Sequence, residues 1–170
     1  MMVEFDVVEL PPADHPAEGE TAPDFTRPLV NDEYWEDTSL SEVVGPEPTL
    51  LVFHPMDGSF PATYLYNEIR DRGWETTATV VGVSISTPYE HKSFIAARGI
   101  DSRLFSDPGN GVAEAYGIAH ELDGMAGIEE PRPAVFLLAA DRTIEYVWVA
   151  SEWPEFPDYD EIQRQLARTE

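Results

Sequence analysis

The chain has 170 residues, 42% of them hydrophobic, with 33 Asp and Glu against 10 Lys and Arg and a formal net charge of -23. That length and apolar content suffice for one well-buried domain, while so negative a surface repels nucleic acid and anionic membranes and argues against both as partners. Cysteine is absent, which excludes disulfides, thiolate metal sites and thiol nucleophiles.

Residues 2–10 alternate apolar and acidic positions, the pattern of an edge strand or of a flexible arm. They lack the basic start and apolar core of a signal peptide, and no apolar run reaches membrane-spanning length, so a cytoplasmic protein is expected. Residues 11–23 are rich in Pro, Ala and Glu and read as an extended connection. The chain is therefore divided into an N-terminal strand or arm at 1–17 and one domain at 18–170. Residues 32–37 read as a turn. A short helix follows at 39–44, with Ser39 as its cap and Glu42 three residues on as a capping box, and Gly45 and Pro46 stop it.

Residues 49–53 are a continuous apolar run of strand length, the pattern of a central strand covered on both faces. Pro55 ends the run, Ser59 caps the helix that follows, and Pro61 sits near its first turn, where a missing N–H costs nothing. A strand, a short loop and a helix N-terminus place unpaired N–H groups at the carboxyl end of a sheet, where open α/β proteins bind ligands. That helix fades near residues 72–73. A second buried strand at 79–86, an amphipathic helix at 88–98 and a strand at 103–106 complete a βαβ step. A short helix at 111–116, a strand at 132–138, a turn at Asp141 and Arg142, an antiparallel strand at 143–149 and a closing helix at 158–169 finish the chain.

These segments carry motifs in order. Phe53, His54, Pro55, Ser59 and Ala62 resemble the active-site segment of the peroxiredoxin family (alkyl hydroperoxide reductase and thiol-specific antioxidant), which runs Phe-Tyr-Pro, three variable residues, Thr or Ser, two more, then the peroxidatic Cys. Gly19 to Phe25 resembles the Gly-x-x-Ala-Pro-Asp-Phe that opens that domain. Leu40-Ser41-Glu42, Ser106-Asp107-Pro108, Ala115-Tyr116-Gly117-Ile118 and the strand that begins at Arg132 resemble further family segments. The resemblance spans residues 18–169 and implies an α/β thioredoxin-like fold of peroxiredoxin type, a central mixed sheet flanked by helices. The dispersed acidic residues and the single lysine, Lys92, resemble proteins of salt-accumulating halophiles, so a cysteine-less, haloarchaeal member is expected.

The family reduces hydroperoxides by thiolate attack on the O–O bond, supported by a helix N-terminus, a Thr or Ser hydroxyl and an Arg guanidinium. By resemblance the equivalent positions are Pro55, Ser59, Ala62 at the cysteine position, and Arg132, with Ser59 and Arg132 expected to converge on residue 62. Ala62 supplies no nucleophile, and Ser59 is a weak one without a base. Two functions follow as expectations: a pseudoenzyme of the redoxin domain that binds a small molecule or a protein partner, or an oxidoreductase-family enzyme with thiol-independent chemistry in the same pocket. The family commonly dimerises beside its active site, so a homodimer is expected. A laboratory replacement of Cys by Ala62 loses ground because Pro61, Thr63 and Tyr64 depart from the family's pattern too. Ser59 reads first as a helix cap and Arg132 equally as half of a surface ion pair. No cofactor and no metal is expected: His15, His91 and His120 have no close metal spacing with His54, and Asp57 near His54 reads as chance proximity in so acidic a chain.

Overall fold

The computed structural model describes residues 7–122 and 125–169. In chain order the elements are β1 (Val8–Glu9), β2 (Thr26–Val30), β3 (Trp35–Ser39), α1 (Leu40–Val43), β4 (Thr49–Phe53), α2 (Phe60–Asp71), α3 (Trp74–Thr77) and β5 (Thr79–Ser84). They continue as α4 (Pro88–Arg98), β6 (Arg103–Ser106), α5 (Gly111–Ala115), β7 (Ala119–His120), β8 (Glu130–Pro131), β9 (Ala134–Leu138), β10 (Ile144–Val149), β11 (Glu152–Trp153) and α6 (Tyr159–Arg168). Seven strands form one mixed sheet in the order β10-β9-β4-β5-β6-β2-β3. Its centre is the parallel trio β4, β5 and β6, and β9 and β2 flank that trio antiparallel.

The period of two along β4 sorts its side chains between two cores. Leu50 and Val52 pack with Ala62, Leu65 and Tyr66 of α2, Phe94 and Ile95 of α4, and Ile162 and Leu166 of α6. Leu51 and Phe53 face the opposite core, with Leu40, Val112, Ala113 and Tyr116. All five residues of β4 are buried, as expected of a strand with both faces covered. The α/β class and the mixed sheet with flanking helices agree with the expected fold.

Several boundaries differ for local reasons. The predicted turn at 32–37 is shorter, because the Asn31 side chain accepts from the backbone N–H of Glu33 and Tyr34 and closes the turn early. β3 then pairs with β2 on the sheet edge, where the charges of Glu36 and Asp37 face solvent and hide the strand pattern. β5 stops at Ser84 because the Ser84 hydroxyl accepts from the backbone N–H of Ser86 and turns the chain toward Thr87, which caps α4. Of the predicted strand at 2–10, residues 2–6 lie outside the described residues, and β1 pairs with β11. The expected capping box of Ser39 and Glu42 is present, with the Ser39 backbone N–H donating to the Glu42 side chain at 3.1 Å. Among the described residues no helix is long and apolar enough to cross a membrane.

Candidate functional site

Ala62 occupies the third position of α2 and is fully buried among the apolar residues that α2 shares with the sheet. Its neighbours Pro61 and Leu65 wall a cavity of about 10 Å³ together with His54, Pro55, Pro133 and Phe156. That is the size of a single water at most. Ser59 stands at the N-cap position with extended backbone, but its hydroxyl donates to the carbonyl of Met56 at 2.7 Å and makes no cap bond to the helix. The expected side-chain cap is therefore absent, since a hydroxyl turned back into the tight loop 56–59 cannot also reach forward.

The described hydrogen-bond partners of Arg132 lie in other segments of the chain. Its guanidinium donates to the carbonyls of Pro11 (2.6 Å) and Ala150 (3.4 Å), and it lines a separate pocket with His15 and Val149. Strand parity explains the placement: Val135 and Leu137 belong to the core that holds Ala62, whereas Ala134, Phe136 and Leu138 belong to the other. Arg132 shares the parity of Phe136, and Pro133 shares that of Val135 and reaches the small cavity by Ala62. The spacing in the sequence carries the signal. The family pattern is Arg-x-x-Phe, and the residue three before Phe136 is Pro133, with Arg132 one step further back. The expectation of an ion pair for Arg132 also gives way, as its described partners are backbone carbonyls.

A polar network replaces the expected one. His54 continues the face of Leu50 and Val52 at the end of β4, Asp57 sits in the loop before α2, and His91 lies in the first turns of α4. Side-chain exposures are 1%, 5% and 0%. His54 Nε2 is 2.7 Å from Asp57 Oδ1, and His91 Nδ1 is 2.6 Å from Asp57 Oδ2. The other ring nitrogens are engaged as well: His91 Nε2 is 3.0 Å from the carbonyl of Phe105, and His54 Nδ1 is 3.1 Å from the Tyr66 hydroxyl. Asp57 is further fixed by its backbone N–H, which donates to the Ser86 hydroxyl at 2.9 Å.

Hydrogen-bond accounting assigns the protons. A carbonyl only accepts, so His91 Nε2 carries a proton. Burial would raise the Asp57 carboxyl, but the hydrogen bonds from His54 and His91 outweigh it and hold the group at about 2, down from 3.8. Asp57 is thus a carboxylate that accepts from both rings. Burial holds His54 below its ordinary value, and as a neutral ring it donates through Nε2 and accepts from Tyr66. Gly82 makes room for this arrangement, since a Cβ there would overlap the Tyr66 hydroxyl and the side chain of Leu104. Gly58, at φ 82°, lets the chain turn directly after Asp57.

The sequence reading missed this set by searching for ligand spacing along the chain. The residues come from three elements that only the parallel pairing of β4 and β5 and the crossover through α4 bring together. One signal was available: His91, Phe94 and Ile95 fall on one face of the predicted helix, so His91 belongs to its buried side.

Beside the small cavity a wider groove of about 570 Å³ opens along α2, lined by Phe60, Tyr64, Glu68, Pro154, Phe156 and Tyr159. Tyr64 and Phe156 are 59% and 40% exposed, and their rings meet edge to face at 5.8 Å. Glu68, the one charged residue of that lining, is paired with Arg72 at 2.8 Å, and Arg72 is shared with Asp160 at 3.1 Å.

Comparison with known proteins bears on the same region. The AhpC/TSA family profile matches residues 19–147. The chain is 25% identical over 142 residues to a chloroplastic peroxiredoxin Q of Gentiana triflora, an alignment that spans 82% of this chain and 62% of that protein. It is 27% identical over 145 residues to a thiol peroxidase of Staphylococcus aureus (strain MRSA252), across 84% of this chain and 83% of the other. The crystal structure of peroxidoxin BcpB from Mycobacterium tuberculosis superposes with a TM-score of 0.74 at 26% identity, covering 91% of this chain and 97% of that one.

Proposed function

Because this chain belongs to the AhpC/TSA family and has a buried methyl group at its cysteine position, we propose that it is a pseudoenzyme: a peroxiredoxin-like binding protein without thiol peroxidase activity. The observation that carries this reading is the state of Ala62. It is fully buried, and the cavity walled by its neighbours Pro61 and Leu65 is about 10 Å³, too little for a hydroperoxide. Neither a nucleophile nor a substrate cavity stands at that position, and no cysteine elsewhere in the chain can take over the reaction. Hydroperoxide consumption with a thiol donor, measured in molar KCl, is expected not to exceed that of a buffer control with free methionine. Saturable turnover overturns the reading.

Binding then falls to the surface next to the lost site. The aromatic groove along α2 is apolar, with Glu68 its one charged lining residue on a chain of net charge -23, so it is where a second copy of this chain approaches with least repulsion. We take a homodimer through this groove as the assembly. The alternative, thiol-independent chemistry, has the His54–Asp57–His91 network on its side. That network is buried, however, and its polar atoms are engaged with one another.

A further inference from the structure

We infer that His54, Asp57 and His91 form a binding site for one divalent transition-metal ion of the zinc class. The inference does not depend on the dimer or on the loss of peroxidase activity. One donor atom from each residue, two imidazole nitrogens and a carboxylate oxygen, fall within 4.8 Å of one another. The side chains are buried to 5% exposure or less, so the donors converge in a desolvated space instead of on the acidic surface.

The surroundings of the two rings support the assignment independently. A metal-bound imidazole is oriented by a hydrogen bond from its other nitrogen to a carbonyl, carboxylate or hydroxyl. His91 offers Nδ1 inward once the proton it shares with Asp57 is released to solvent on metal binding, and holds Nε2–H on the carbonyl of Phe105. His54 offers Nε2 inward with Nδ1 against the Tyr66 hydroxyl, which accepts once the ring proton moves to Nδ1. Two imidazoles and one carboxylate suit zinc, cobalt or nickel, whereas calcium and magnesium take all-oxygen sets. Without an ion the donors close on each other through hydrogen bonds of 2.6 and 2.7 Å. An ion at about 2.0–2.2 Å from each donor needs them slightly farther apart, and Asp57, in the loop that turns at Gly58, is the ligand placed to give way.

The test uses the whole chain, stripped with EDTA and titrated with Co²⁺ in molar KCl with excess Mg²⁺ to occupy the surface carboxylates. One equivalent is expected to bind with an intense ligand-field spectrum of low coordination number, and Zn²⁺ is expected to displace it and raise the melting temperature. Tyr66→Phe keeps the ring and removes the hydroxyl, and should weaken Co²⁺ binding by roughly tenfold. Asp57→Asn and His91→Ala should abolish it, with His120→Ala as an unaffected control. If Co²⁺ keeps its six-coordinate aqua spectrum with the wild-type chain, the site is a closed hydrogen-bonded network and the assignment fails. Binding that survives both Asp57→Asn and His91→Ala overturns it equally.

Discussion

At the scale of single residues, Asp57 is the group whose chemistry the fold alters most. Its folded pKa is about 2 against an ordinary 3.8, so as pH falls the unfolded chain takes up the proton first. The stabilisation is complete above about pH 4 and is lost as pH drops through about 2, a contribution of about 2 kcal/mol. With EDTA present, chemical denaturation of the wild type is expected to lose about that much more stability across the window than Asp57→Asn loses. Equal losses in the two proteins would mean that Asp57 is not held by His54 and His91. Ala62 shows the opposite dependence on its surroundings. Its identity can be read from the chain, but whether a guanidinium faces it is decided by the direction Arg132 takes just before β9.

At the scale of elements, α2 has two uses. Its inner face, with Ala62, Leu65, Tyr66 and Ile69, closes the core, and its outer face presents Tyr64 to the groove. Each inner residue is satisfied by the sheet, whereas Tyr64 and Phe156 leave ring surface in water, and burying such surface is worth about 25 cal/mol per Å². Sedimentation equilibrium in molar KCl should therefore find a dimer for the wild type and a monomer for Tyr64→Asp with Phe156→Asp. The double variant should keep its melting temperature within a few degrees of the monomeric wild type at low concentration, since neither side chain is in the core. An unchanged dimer would exclude this groove as the interface.

At the scale of the whole molecule, charge dominates. The described ion pairs, among them Arg27–Asp107, Arg72–Glu68 and Arg164–Glu161, use four arginines, and with ten Lys and Arg in all most of the 33 carboxylates have no cation of their own. Folding crowds these like charges together, and salt at about 1 M shortens the screening length to about 3 Å. The melting temperature should climb steeply between dilute buffer and molar KCl, and further than sucrose at equal osmolality raises it. Equal stability in the two buffers would remove the argument for a halophilic protein and leave the fold untouched.

The sequence alone determined the order of the elements from β4 through α2, β5, α4 and β6, and of the closing hairpin and helix, because its signals are local. The apolar run of β4, the Pro and Gly stops, and the cap before α4 each act within a few residues. It determined the loss of the thiol as well, since the absence of cysteine needs no coordinates. The hairpin strand β3 was hidden, because an edge strand can expose charges that mask its period. Arg132 stands four residues before Phe136 where the family pattern has three, and in extended chain one position exchanges the two faces. Only the tertiary structure decided that His54, Asp57 and His91 meet, since residues from three elements are joined by sheet pairing and a crossover helix, and no spacing along the chain records that contact.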